Sequence, residues 1–180
     1  VAVGYQALTA ITTGGSNTAV GSYALDAITS GAGNVALGRG TLGALNTGTS
    51  NVAIGNESLS SLTGTMVGLT AVGYDSLKSL TSGAGNTAIG YETLKTHTTG
   101  ARNTAIGYQA MNNTDAGSTS LGSIDNIFIG YDAGGGTWAD AASNYNIGIG
   151  NYTLDAALNG ALRNIAIGYE ALSDLTTGDS

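Results

Sequence analysis

Histidine titrates near neutral pH and is the side chain most often used as a general base. This chain has one, His97. The other residues that could do chemistry are the sole tryptophan, Trp138, and the carboxylates Asp125, Asp132 and Asp140. Catalysis by a nucleophile needs a base within hydrogen-bond reach and a group that orients the base. Glycoside hydrolysis needs two facing carboxylates. Neither pattern stands out. Cysteine is absent, which excludes thiol catalysis, a cysteine zinc site and a disulfide framework. A calcium loop needs aspartates at alternating positions, and Gly134-Gly135-Gly136 has none between its glycines. We therefore expect no catalytic residue, no metal and no cofactor.

Composition narrows the class further. Of 180 residues 30 are glycine, none is proline, and 12 acidic against 5 basic side chains give a net charge of −7. Collagen needs a glycine at every third residue together with proline. At 42 % apolar residues the chain can bury a core, which argues against disorder. An acidic chain lacks the clustered Lys and Arg that bind a nucleic-acid backbone, and no apolar run approaches the ~20 residues that span a bilayer. The chain opens Val1-Ala2-Val3-Gly4 in mid-pattern, with no initiator methionine or signal peptide, and reads as a window from a longer one.

The pattern in question is a repeat. Asn17-Thr18-Ala19-Val20-Gly21, Asn34-Val35-Ala36-Leu37-Gly38 and Asn51-Val52-Ala53-Ile54-Gly55 are three copies. Others start at Leu69, Asn86, Asn103, Asn126, Asn146 and Asn164, and a partial one at Val1. Successive starts lie 17, 17, 17, 18, 17, 17, 23, 20 and 18 residues apart. One segment, 1–180, thus holds about ten coils of ~17 residues, with insertions around 112–125 and 132–145.

Numbered from the asparagine, position 2 is β-branched and position 4 is Val, Leu or Ile. Position 3 is Ala except for Phe128 and Gly148. β-branched residues favour strands, whose side chains alternate between faces. Position 5 is Gly throughout, as in Gly21, Gly38, Gly55, Gly90 and Gly107, which implies a positive φ or a close backbone approach. Leucines at positions 9 and 12 would share a face on a helical turn, and a Thr-Thr-Gly or Thr-Ser-Gly stop follows. The expected fold is a β-solenoid, a parallel strand ladder with one short helical turn per coil. Positions 2 and 4 are expected to pack under the leucines. That leaves the small position-3 face for a parallel homotrimer, with Ala19, Ala36 and their equivalents at the shared axis.

Asn86-Thr87-Ala88-Ile89-Gly90-Tyr91 and Asn103-Thr104-Ala105-Ile106-Gly107-Tyr108-Gln109-Ala110 resemble repeats of bacteriophage tail-fibre and tailspike-type shafts. They are also similar to the N-S-V-A-I-G repeats of trimeric autotransporter adhesin heads, whose unit is shorter. The resemblance covers nearly the whole chain. It implies a homotrimeric, non-enzymatic fibre on a virion or cell surface, partnered by itself, by other fibre or virion proteins, and by a host glycan or protein. It implies neither nucleic acid nor membrane insertion.

Within that frame His97 reads as a substitution in the position-12 leucine slot. Asn17, Asn34, Asn51, Asn86 and Asn103 read as a stacked amide ladder at a turn. Tyr5, Tyr74, Tyr91, Tyr108, Tyr131 and Tyr169 read as a packed aromatic row, with sugar stacking as the alternative. The Thr-Thr row (Thr12-Thr13, Thr98-Thr99, Thr176-Thr177) reads as turn hydroxyls. A monomeric ice- or surface-binding solenoid is the distant alternative. Insertions in solenoids become loops on one face, often the binding face. Trp138, Tyr145 and Asp140 are accordingly the candidate receptor contacts, with Trp138 either seating a partner or covering the core where Gly134 replaces the usual leucine.

Overall fold

The computed structural model describes residues 1–114, 122–138 and 141–178. Ten short strands follow one another in a single sheet in chain order. They are β1 (Ala2–Val3), β2 (Thr18–Val20), β3 (Val35–Leu37), β4 (Val52–Ile54) and β5 (Thr70–Val72), then β6 (Thr87–Ile89), β7 (Thr104–Ile106), β8 (Ile127–Ile129), β9 (Ile147–Ile149) and β10 (Ile165–Ile167). Every pairing is parallel and keeps the repeat in register: Thr18 faces Val35, Ala36 faces Ala53 and Ile89 faces Ile106. The chain is a β-solenoid, and the 17-residue unit is one turn of it.

The faces of the sheet are reversed from expectation. Ala19, Ala36, Ala53, Ala71, Ala88 and Ala105 are fully buried inside the coil, under Leu25, Leu42, Leu59, Leu77 and Leu94. The bulky position-4 residues point outward, with Val20, Leu37, Ile54 and Ile89 37–39 % exposed. A coil of 17 residues encloses a narrow lumen. Two leucine rows fill it from one side, so only a methyl group fits from the other. Ala19 and Ala36 therefore do not lie at an intermolecular axis.

The expected helical turn is also replaced. No helix occurs among the described residues. Leu25, Leu42, Leu59, Leu77 and Leu94 at position 9 adopt φ of 50–52°, and Glu57, Asp75, Glu92 and Gln109 at position 7 adopt 52–56°. A left-handed leucine costs roughly 1 kcal/mol or more. The conformation persists because it turns alternate N–H groups toward opposite neighbours. Glu92 N–H donates back to the Tyr74 carbonyl at 2.8 Å, and Leu94 N–H donates forward to that of Ala110 at 3.1 Å. A helix would keep those hydrogen bonds within one coil. Positions 9 and 12 still share a face through a tight turn, in which His97 N–H donates to the Leu94 carbonyl at 3.2 Å.

Position 5 holds glycine for the reason foreseen. Gly21 has φ +136°, and a Cβ there would run into the carbonyl oxygen of Gly38 one coil on. Position 1 forms the amide ladder. The Asn34 side chain donates to Asn17 Oδ1 at 3.1 Å and to the Gly48 carbonyl at 2.8 Å. Its own Oδ1 accepts from the backbone and side chain of Asn51 at 3.0 and 3.1 Å. Asn34 and Asn51 are fully buried, and each bond ties one coil to the next.

One coil is rebuilt. Phe128 takes the alanine position and remains fully buried. Room comes from two glycines: a Cβ at Gly148 would meet the Phe128 ring at 2.6 Å and one at Gly134 at 2.8 Å. Trp138 closes the same layer, edge-on to Phe128 at 5.7 Å and 64°.

Candidate interaction surface

The outward sheet face is a regular surface built from every coil. Two rows run its length. Position 2 supplies Thr18, Val35, Val52, Thr70, Thr87, Thr104, Ile127, Ile147 and Ile165, and position 4 supplies nine more Val, Leu or Ile residues from Val20 to Ile167. Strand alternation puts both rows outside because position 3 is inside. No charged residue interrupts them. Eight steps of about 4.8 Å between β2 and β10 make the face about 38 Å long.

A tyrosine row borders this face. Tyr74, Tyr91, Tyr108 and Tyr131 stack in three consecutive pairs, with centroids 5.2, 5.0 and 5.3 Å apart and planes within 13° of parallel. Their flat sides cover one another, so the inner rings offer edges and hydroxyls to solvent. Sugar stacking needs a bare ring face, and the packed row is the arrangement present.

A charge ladder went unread in the sequence. Arg39 Nη1 meets Glu57 Oε1 at 3.1 Å, Glu57 Oε2 meets Lys78 Nζ at 2.7 Å, and Lys78 Nζ meets Asp75 Oδ2 at 3.2 Å. Lys95 Nζ then joins Asp75 Oδ2 at 3.5 Å to Glu92 Oε1 at 2.6 Å. The signal was an acid at position 7 with lysine at position 10, visible only once coils are stacked. The Lys78 hydrogen bond holds the Glu57 carboxyl below its ordinary value, and the Lys95 hydrogen bond does the same for Glu92.

Beyond β7 the acids continue on the same side of the rod. Asp155, Glu170 and Asp174 line an open groove of about 530 Å³ with Tyr152, Tyr169 and Ser173. Burial raises Asp132 and Asp155, and Asp155 is raised further by Asp132, Glu170 and Asp174. A carboxyl whose folded pKa is raised favours folding while protonated, and that contribution is lost as pH rises through the folded value. Asp155→Asn should therefore raise the melting temperature at neutral pH, and the gain should shrink toward about pH 4. Thermal melts at the two pH values check this.

The individually named residues fall on different sides of the coil. His97 is fully buried, its Nδ1 3.0 Å from Thr114 Oγ1 and its Nε2 3.3 Å from Asn103 Nδ2, a polar substitute in a core slot. Trp138 is fully buried, so its reading as a surface contact is corrected. The Phe128 ring fills the space that Gly134 leaves at position 9, and the indole packs edge-on beside it. Tyr145 remains on the surface at 49 % exposure. Asp140 lies outside the described residues. Asp125 is taken up by a two-bond pairing with Arg102 at 2.7 and 2.8 Å. The threonine row donates to backbone, as in Thr12 Oγ1 to the Thr29 carbonyl at 3.0 Å and Thr81 Oγ1 to that of Thr98 at 3.0 Å. Among the described residues no group of three or more His, Asp or Glu could hold a metal ion, and no helix is long and apolar enough to cross a membrane.

No family model, curated protein or solved structure matches this chain.

Proposed function

We propose that the chain is a structural segment of an extracellular or virion fibre, a rod that associates with copies of itself along its outward sheet face. The observation that supports this best is the uncharged two-row surface running unbroken from β2 to β10. The parallel homotrimer is kept as the stoichiometry, now with Val20, Leu37, Ile54 and Ile89 toward the axis in place of the alanines. An axis along the rod keeps copies at the same height, so each coil meets the equivalent coil of its neighbours. In this reading the rod spaces or presents a receptor-binding tip and carries out no reaction itself.

Charge on the face tests it. Ile89→Lys with Ile106→Lys places two like charges per chain where copies meet, and should convert the assembly to monomers with an unchanged circular-dichroism spectrum. An assembly that survives the double substitution would refute association through this face.

A second reading rests on one specific feature. Thr18, Thr70, Thr87 and Thr104 stand in register on the outward face, their hydroxyls without protein partners among the described residues. A flat row of hydroxyl and methyl groups on a monomer suits an ice or mineral surface. Thermal hysteresis by a monomeric protein, abolished by Thr87→Lys, would favour it.

A further inference from the structure

We infer that the stacked tyrosine row is an oxidative cross-linking site, at which one-electron oxidants join neighbouring coils of the same chain through dityrosine bridges. Three consecutive pairs lie parallel at 5.0–5.3 Å between centroids. Parallel rings at this spacing run side by side along the row, whereas the perpendicular pairs Tyr5–Tyr23 and Tyr152–Tyr169, at 82° and 85°, turn an edge toward a face. The row is also where an oxidant can reach. Tyr74, Tyr91, Tyr108 and Tyr131 are 41–44 % exposed, Trp138 and Met111 are fully buried, Met66 is partly buried, and there is no cysteine to take the radical.

The chemistry balances with an external oxidant as the second reactant. Each phenol gives up one electron to the oxidant and one proton to solvent or a nearby base. Two phenoxyl radicals then form one bond between ortho carbons, and the two ring hydrogens displaced at that bond move to the oxygens. Each bridge consumes two one-electron equivalents and removes two hydrogens in all. Disulfide staples are impossible in this chain, and a bridge of this kind would lock adjacent coils in register by carbon–carbon bonds.

The test exposes dilute, native protein to light with a ruthenium tris-bipyridyl sensitiser and persulfate, followed by trypsin and mass spectrometry. Lys78, Lys95 and Arg102 separate Tyr74, Tyr91 and Tyr108 into peptides 40–78, 79–95 and 103–163. Linked pairs of these peptides, each lighter than their sum by two hydrogens, are the expected products, with a raised melting temperature for the oxidised protein. A mixture of unlabelled and nitrogen-15-labelled chains should give linked pairs of a single label. The variant Tyr91→Phe with Tyr108→Phe keeps all four rings stacked and should lose both linked pairs. Equal yield from that variant, bridges confined to Tyr5–Tyr23, or linked pairs of mixed label would overturn the assignment, as would the absence of any bridge.

Discussion

Phe128→Ala removes about 3–5 kcal/mol of stability, the usual cost of emptying a buried aromatic site. The ring is fully buried and is the only large side chain on the alanine row. Its neighbours have given up their own atoms to admit it: Gly134 stands where other coils have leucine, and Gly148 where they have alanine. Trp138 also loses its edge-on partner at 5.7 Å. Gly134→Leu alone is also destabilising, because its side chain would enter the space of the Phe128 ring. Combined, the two substitutions restore the alanine–leucine pairing of the regular coils. The φ of +64° at Gly134 is close to the +50° of Leu77 and Leu25, so the backbone already suits a leucine. The double variant should therefore be more stable than the sum of the single effects predicts, by about 1 kcal/mol or more. Chemical denaturation of the four proteins measures the cycle; additive effects would show that the rebuilt layer is not a coupled unit.

Asn34→Asp should be the most damaging single-atom-scale change in the chain, costing about 3 kcal/mol or more at neutral pH. The Asn34 Nδ2 group donates to two oxygens, Asn17 Oδ1 and the Gly48 carbonyl, at 3.1 and 2.8 Å in a fully buried site. A carboxylate would set negative oxygen against both, with no cation facing it. The folded pKa of that new carboxyl is raised, so its protonated form is the one folding tolerates. The lost stability should begin to return as pH falls through the raised folded value, and the charge penalty should be gone once pH is below the ordinary carboxyl range. Asn34→Leu should cost less, because Leu69 already occupies one rung and donates its own N–H to Asn51 Oδ1 at 3.0 Å. Melting temperatures of the two variants across pH separate the charge from the lost hydrogen bonds.

The period, the parallel register, the glycine turn and the amide ladder were all legible in the sequence, because each depends on one residue type recurring at one position. Asn34 and Gly38 need only their equivalents 17 residues on to explain them. Two inferences required the size of the lumen, which no single repeat states. Bulky Ile54 reads as core by hydrophobicity, and Ala53 as surface by its small size. The coil is too narrow for both Ile54 and Leu59 inside, so the smaller residue goes in. The spacing of Leu59 and Leu62 fits a helical turn as well as it fits the left-handed bends observed, since both bring residues three apart onto one side. Only the neighbouring coil's carbonyls, which receive the N–H groups, select between them. The site was less legible than the fold. Trp138 attracted attention through rarity, yet it lies in the core, edge-on to Phe128. The charge ladder through Glu57, Lys78, Asp75 and Lys95 appears only when coils are superposed.

Self-association along the outward sheet face is the central claim, and the mass of the undenatured protein by light scattering tests it most directly. A value near three times 17.7 kDa, dissociated by lysines at Ile89 and Ile106, is the predicted result. A mass of 17.7 kDa across the accessible concentration range would contradict it, and would leave the isoleucine and threonine rows facing water or a solid surface instead of another chain.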